Sequence, residues 1–145
     1  MQHEAFLTRR YLAVFLPLLP TQRLARHRGS APDAPFAMVE KQGVSMRLAA
    51  CDPAALALGL SGGMALADAR ARVPELAVFD HDPAADLDLL GWLADGCERY
   101  SPACMIDPPQ GLLIDITGCT YRFGDDEVRL AKDLKQRLRR HGLTG

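Results

Sequence analysis

A chain of 145 residues, 48% apolar and 24% charged, fits one compact domain with a working core and has the composition of an ordinary soluble globular protein. No run approaches the ~20 apolar residues of a membrane-spanning helix. The formal net charge of −1 hides an uneven distribution: no acid stands between Ala5 and Pro32, where Arg9, Arg10, Arg23, Arg26 and Arg28 all fall.

Tyr11 to Leu16 is aromatic, β-branched and apolar without alternation, which predicts a strand buried on both faces and ended by Pro17 and Pro20. The stretch from Arg26 to Pro35 is rich in turn formers and reads as a loop. "FAMVEKQGVSMRLAAC" follows as two short strands around a turn at Gln42-Gly43. "DPAALALGL" then carries the chemistry of a helix start and stop: Asp52 to cap, Pro53 at the first helical position, and Gly59 for a left-handed end. A second short helix, "MALADARARVP", is stopped by Pro74, and "ELAVFD" is a further short strand. "DPAADLDLLGWLADGCERY" repeats the Asp-Pro start and places Leu87, Leu90, Leu93 and Ala94 on one stripe of an amphipathic helix, with Trp92 expected in the core. "RYSPACMIDPPQGLLIDITG" predicts a β-hairpin, and "GDDEVRLAKDLKQRLRRHG" a last helix with Leu130, Ala131, Leu134 and Leu138 inward. Its acids gather at the start and its cations at the end, matching the helix dipole.

The cysteines Cys51, Cys97, Cys104 and Cys119 form no C-x-x-C pair, and His3, His27, His81 and His141 are equally scattered, so a zinc site is not expected. Each cysteine adjoins an apolar segment and reads as a small core residue in a reducing, cytoplasmic setting. "TRRYLAVFLPLLP" places twin arginines before an apolar run, as an export signal would. The run is short, broken by prolines, and followed by "RLARHR" instead of a small-residue cleavage site, so export is not expected. The basic clusters suit a phosphate backbone, and they also suit a solvated surface.

Taken together the elements are a strand, an inserted βαα unit, then helix, strand, strand and helix. The expected fold class is α+β: a ferredoxin-like, split βαβ sheet with a small helical insertion. One more strand would complete it where the sequence reads "HGLTG", so the chain is expected to be a fragment of a longer protein.

The hairpin residues resemble the palm segment of Y-family (translesion) DNA polymerases, whose pattern is Y-[ST]-P, seven residues, then D-E-A-Y-L-D-V-T-G. Tyr100, Ser101, Pro102, Asp115, Thr117 and Gly118 match it without a gap, with Ile114 and Ile116 as conservative replacements. Upstream, "RLAACDPAALALGLSGGMALADARARVP" is similar to the finger segment of that family: Ala50, Gly59, Leu60, Gly63, Met64, Leu66, Asp68, Ala69 and Pro74 match. "YLAVFLPLLPTQRL" falls where the family's first strand carries D-x-D-x-F-F. The resemblance implies palm-like segments at 1–20 and 80–145 and a fingers-like insertion at 21–79, with thumb and little finger absent.

The departures bear on chemistry. The family holds two Mg²⁺ on one acid of the first strand and an Asp-Glu pair on the hairpin, because hard cations need anionic oxygen ligands. Here those positions fall on Phe15, Gln110 and Gly111, and Pro17 stands where the motif's second Asp would. The finger Tyr and Arg that meet the incoming triphosphate fall on Pro53 and Leu56. Asp107 would need a different backbone path to substitute, and Asp115 matches an acid that is not a metal ligand, so its expected task is to accept local hydrogen bonds.

This combination is similar to the ImuB-type, non-catalytic branch of the Y family. That resemblance implies an adaptor without a cofactor, binding DNA weakly through Arg47, Arg70 and Arg72. The partners it implies are an error-prone C-family polymerase, a RecA-like accessory protein and the sliding clamp, met through segments outside this chain. Two alternatives stay open: an active translesion polymerase using Mg²⁺ on displaced ligands, and an unrelated ferredoxin-like binding domain.

Overall fold

The structure is a computed structural model, and it describes residues 8–145. His3 and the start of the palm-like segment lie outside the described residues. Two three-stranded sheets organise the chain, each with its own apolar core.

The first sheet is formed by β1 (Tyr11–Phe15), β5 (Cys104–Asp107) and β6 (Gly111–Asp115) in the order β1-β6-β5, with both pairings antiparallel. The helices α4 (Pro83–Gly96) and α5 (Glu127–Arg140) cover one face, where Leu90, Leu93, Leu112, Ile114, Leu130, Leu134 and Leu138 close the core. The strand-helix-hairpin-helix order and the 1-3-2 strand arrangement are those of a split βαβ sheet, as the sequence predicts. Asp82 caps α4 by accepting from the Ala85 amide at 3.0 Å, and Asp126 caps α5 by accepting from Val128 at 2.9 Å.

The second sheet has the order β3-β2-β4, from β2 (Phe36–Gln42), β3 (Ser45–Cys51) and β4 (Ala77–Asp80). β2 pairs antiparallel with β3 through a turn in which Gly43 takes the left-handed φ of 64°, and parallel with β4. The short helices α2 (Pro53–Ala57) and α3 (Leu66–Arg72) bury Ala55 and Ala69 against it. Asp52 caps α2 as expected, accepting from Ala55 at 2.8 Å, and Gly59 is left-handed at φ 88°.

The structure corrects four expectations. β1 is not buried on both faces: Leu12 and Val14 pack on the core, while Tyr11 and Phe15 are 54% and 64% exposed on the opposite face, which no element among the described residues covers. Arg26 to Arg28 are not loop but the last turn of a helix, α1 (Leu19–Arg28), which begins just after Pro17 and ends at Gly29. Proline in a first helical turn is favourable, so Pro20, expected only to end the strand, also stands in the first turn of α1. Leu87 faces solvent and Asp86 is buried in its place, because Arg23 of α1 supplies a partner for the acid. Trp92 is 47% exposed, its ring held at the surface by Arg26 and His141.

Cys51 and Cys97 are buried, and Cys104 and Cys119 pack half-buried against the first core. Burial pushes the Cys97 thiol up to about 12, so it stays protonated at neutral pH. Among the described residues no helix is long and apolar enough to cross a membrane.

Candidate functional site: a polymerase-like corner and a nucleic-acid interface

The positions that the family resemblance assigns to metal-binding acids come together in the fold. Phe15 pairs directly with Gly111 in the β1–β6 ladder, and the Leu16 amide donates to the Gln110 carbonyl at 2.8 Å. Side chains alternate across a sheet, so Phe15 and Gly111 share the uncovered face. Asp107 pairs with Gly111 from the other side, which gives this corner one carboxylate. Among the described residues no group of three His, Cys, Asp or Glu is placed to hold a metal ion.

The backbone is close-packed here. A Cβ added at Gly111 would lie 3.0 Å from both the Asp107 and the Val14 carbonyl oxygens. A side chain at 111 therefore requires the neighbouring backbone to give by a few tenths of an ångström, and a strand glycine often marks such a close approach.

The remaining acids nearby are already engaged. Asp115 accepts from the Thr117 amide at 3.0 Å and from Arg9 at 3.0 Å, which is the local task expected of it. Those Thr117 bonds, with a smaller contribution from Arg9, hold its carboxyl below its ordinary value. Tyr100, in the Tyr-Ser-Pro motif, is buried and donates its hydroxyl to Asp133; burial first, then that acid, push its pKa up to about 12. Ser101 donates to the Asp115 carbonyl, so this part of the motif pins the 3-10 turn after α4 to β6.

A second group of charges, not evident in the sequence, sits between the two sheets. Arg23 donates to Asp86 at 2.6 Å, and His81 bridges the other oxygen of Asp86 (3.1 Å) and Glu40 (3.2 Å). These residues come from α1, α4, β2 and the segment after β4, so the cluster ties the two halves of the chain. Glu40, His81, Asp86 and the hairpin tip, Pro108 to Gln110, line one cleft of about 290 Å³. With Glu40 and Asp86 on its wall, the cleft does not favour a triphosphate. No motif in the sequence singles the group out, because Asp86 meets Arg23 only through the packing of α1 against α4.

The acid-free N-terminal cations are mostly engaged inside the molecule. Arg9 pairs with Asp115, and Arg10 holds Glu127 through two bonds of 2.7 Å. Arg26 and Arg28 lie over the rings of Trp92 and Phe79 at 4.6 and 5.0 Å. Arg9, Arg10, Arg26 and Arg28 remain exposed, as the solvated-surface reading has it, while Arg23 is turned inward; the acids met by Arg9 and Arg10 lie more than a hundred residues away, and that of Arg23 sixty-three.

The three arginines expected at DNA all belong to the second sheet and its helices. Arg47 on β3 donates to the Gly63 carbonyl at 2.8 Å and bridges to Ala65 at the start of α3. Arg70 on α3 lines the neighbouring groove with Met46 and Ala65. Arg72 lies apart from that groove, its guanidinium against Gly59. Arg70 and Arg72 are exposed, whereas Arg47 is half-buried. Pro53 and Leu56 stand on the exposed side of α2, the latter 46% exposed.

A palm-like sheet joined to a small second sheet with two short helices is the architecture of a Y-family DNA polymerase core. Solved structures bear this out. A post-insertion binary complex of Dbh DNA polymerase superposes with a TM-score of 0.82 at 16% identity, covering 92% of this chain and 40% of that one. DinB from Sulfolobus solfataricus superposes with a TM-score of 0.78 at 16% identity over the same shares. The chain belongs to the impB/mucB/samB family, which it matches over residues 23–144. Among curated proteins it is 48% identical over 86 residues to Protein ImuB of two Caulobacter vibrioides strains, NA1000 / CB15N and ATCC 19089 / CIP 103742 / CB 15. That match covers 59% of this chain and 19% of those relatives, so the chain spans a minor part of their length.

Proposed function

We propose that this chain is the palm and fingers of a non-catalytic Y-family relative, an adaptor that brings DNA and polymerase partners together in damage-induced translesion synthesis. The observation that carries the reading is the Phe15–Gly111 pair: to the corner where relatives of this fold would need three carboxylates, the paired strands of the first sheet bring one, Asp107, among the described residues, and nearby Asp86 is taken by Arg23 and His81. Two-metal phosphoryl transfer requires anionic ligands on both ions, and one acid does not supply them.

In this reading, 1–20 and 80–145 act as palm and 21–79 as fingers. Arg47, Arg70 and Arg72 supply weak, sequence-independent contact with phosphates. An error-prone C-family polymerase, a RecA-like accessory protein and the sliding clamp are the partners, met in the cytoplasm through segments beyond this chain. Similarity to ImuB supports this assignment, and the exposed arginines of the second unit support the DNA contact.

The test is primer extension by the chain joined to a Y-family thumb and little finger, with Mg²⁺ and with Mn²⁺. No extension above background with either metal is expected. Metal-dependent extension that is lost in Asp107→Asn would instead establish the active-polymerase alternative.

A further inference from the structure

The α4–α5 face, on the opposite side of the first sheet from the polymerase-like corner, carries a cleft that the adaptor reading leaves unused. Its volume is about 340 Å³, with Leu93, Leu134 and Leu138 as its floor and Trp92 as one wall. Trp92 is 47% exposed, and it is the single tryptophan of the chain. A large ring left half in water beside an apolar recess is the kind of anchor that binding surfaces use.

The ring is also pre-positioned. Arg26 lies over it at 4.6 Å and donates to the His141 carbonyl at 3.1 Å, while His141 meets it edge-on with centroids 4.9 Å apart. Holding an anchor before binding lowers the entropy lost on association.

Charge selects the occupant. Arg26 and Arg137 stand at the cleft against one carboxylate, Asp95. Beyond it, the outer face of α5 presents Arg129, Lys132, Lys135 and Arg139, and its one acid, Asp133, is engaged by Tyr100. We propose that this cleft docks an acidic segment of a protein partner, which inserts an apolar side chain beside Trp92 and sets its carboxylates against Arg26 and Arg137. A strand of nucleic acid fits less well, because Asp95 and the exposed Asp88, one helical turn before Trp92, would oppose its phosphates.

Trp92 itself reports the test. The probe is a tryptophan-free helical peptide of about sixteen Leu, Glu and Ala residues, with Leu at i, i+4 and i+7. A saturable blue shift of Trp92 emission is expected, with an apparent Kd raised about fivefold or more by Arg137→Glu. The same peptide with Lys for Glu, or Ala for Leu, should give no saturable shift, and the Arg47→Ala variant should bind as the parent does. Circular dichroism of Arg137→Glu confirms that the variant is folded; if it is not, Arg26→Ala takes its place. No saturable shift with the acidic peptide overturns the proposal. So does an equal response to oligothymidylate, or a shift that grows with protein concentration alone, which would mean that a second copy covers the cleft.

Discussion

At Gly111 a missing side chain reports on packing as well as on lost charge. Carbonyl oxygens of two neighbouring strands stand where its Cβ would be, 3.0 Å away on each side. Gly111→Ala is therefore expected to destabilise the chain by about 1–3 kcal/mol, the usual cost of overpacking, read as a lower urea midpoint with an unchanged slope. Asp115 gives a second expectation at this scale. Its carboxyl is held below the ordinary value near 3.8, chiefly by Thr117, so the folded state binds its proton less readily than the unfolded state does. The stabilisation is present above about pH 4 and is lost as pH falls through the folded value. Thr117→Val should flatten that acid limb of a melting-temperature profile between pH 2 and 5 while leaving the profile above pH 6 parallel to the parent's. These acids and the glycine were legible as a motif, since Tyr100, Ser101, Asp115 and Thr117 stand at family spacing. What spacing does not carry is the backbone approach around Gly111, which depends on β1 lying alongside.

Elements were legible where capping and punctuation residues declare them. Asp52-Pro53 and Asp82-Pro83 start helices as read, and the 42–45 turn and the hairpin fall in place. α1 was not legible, because its prolines and its arginines look like a loop until tertiary contacts are known. Leu87 and Trp92 were misplaced for a related reason: an apolar stripe counts hydrophobic side chains, and it does not foresee that Asp86 can be buried by an arginine sixty-three residues away. That contact makes a prediction for the helix pair. Removing Arg23 leaves the buried Asp86 with His81 as its remaining side-chain partner, so Arg23→Ala should cost up to about 3–5 kcal/mol, the figure for a fully broken buried pair. Arg23→Ala with Asp86→Ala together should cost less than the sum of the two single changes, as a double-mutant cycle by chemical denaturation would show.

For the whole molecule, net charge is a poor guide to what it binds. With Arg9, Arg10 and Arg23 tied to acids, the cations that the proposed reading leaves to a duplex are those of the second unit. If Arg47, Arg70 and Arg72 each meet one phosphate, log K should fall against log salt with a slope of about −3. Duplex anisotropy measured from low to moderate salt tests this, and each Arg→Ala change should reduce the slope by about 1. An affinity unchanged over that range would remove DNA contact from the reading. The fold class itself was legible, since the order of elements specifies a split βαβ sheet even with one helix missed. The partnership between the two sheets was not, because it rests on His81 and Arg23, neither of which belongs to a motif.

The packing at Gly111 also has a meaning in evolutionary time. A metal site lost by charge alone could return through single substitutions, each tolerated while the next is awaited. Here a side chain at 111 meets backbone on both sides, so an acid there carries a packing cost that is separate from any ion it would hold. On the proposed non-catalytic reading, geometry as well as charge then holds this corner as it is, and the surface is where the chain is left to act.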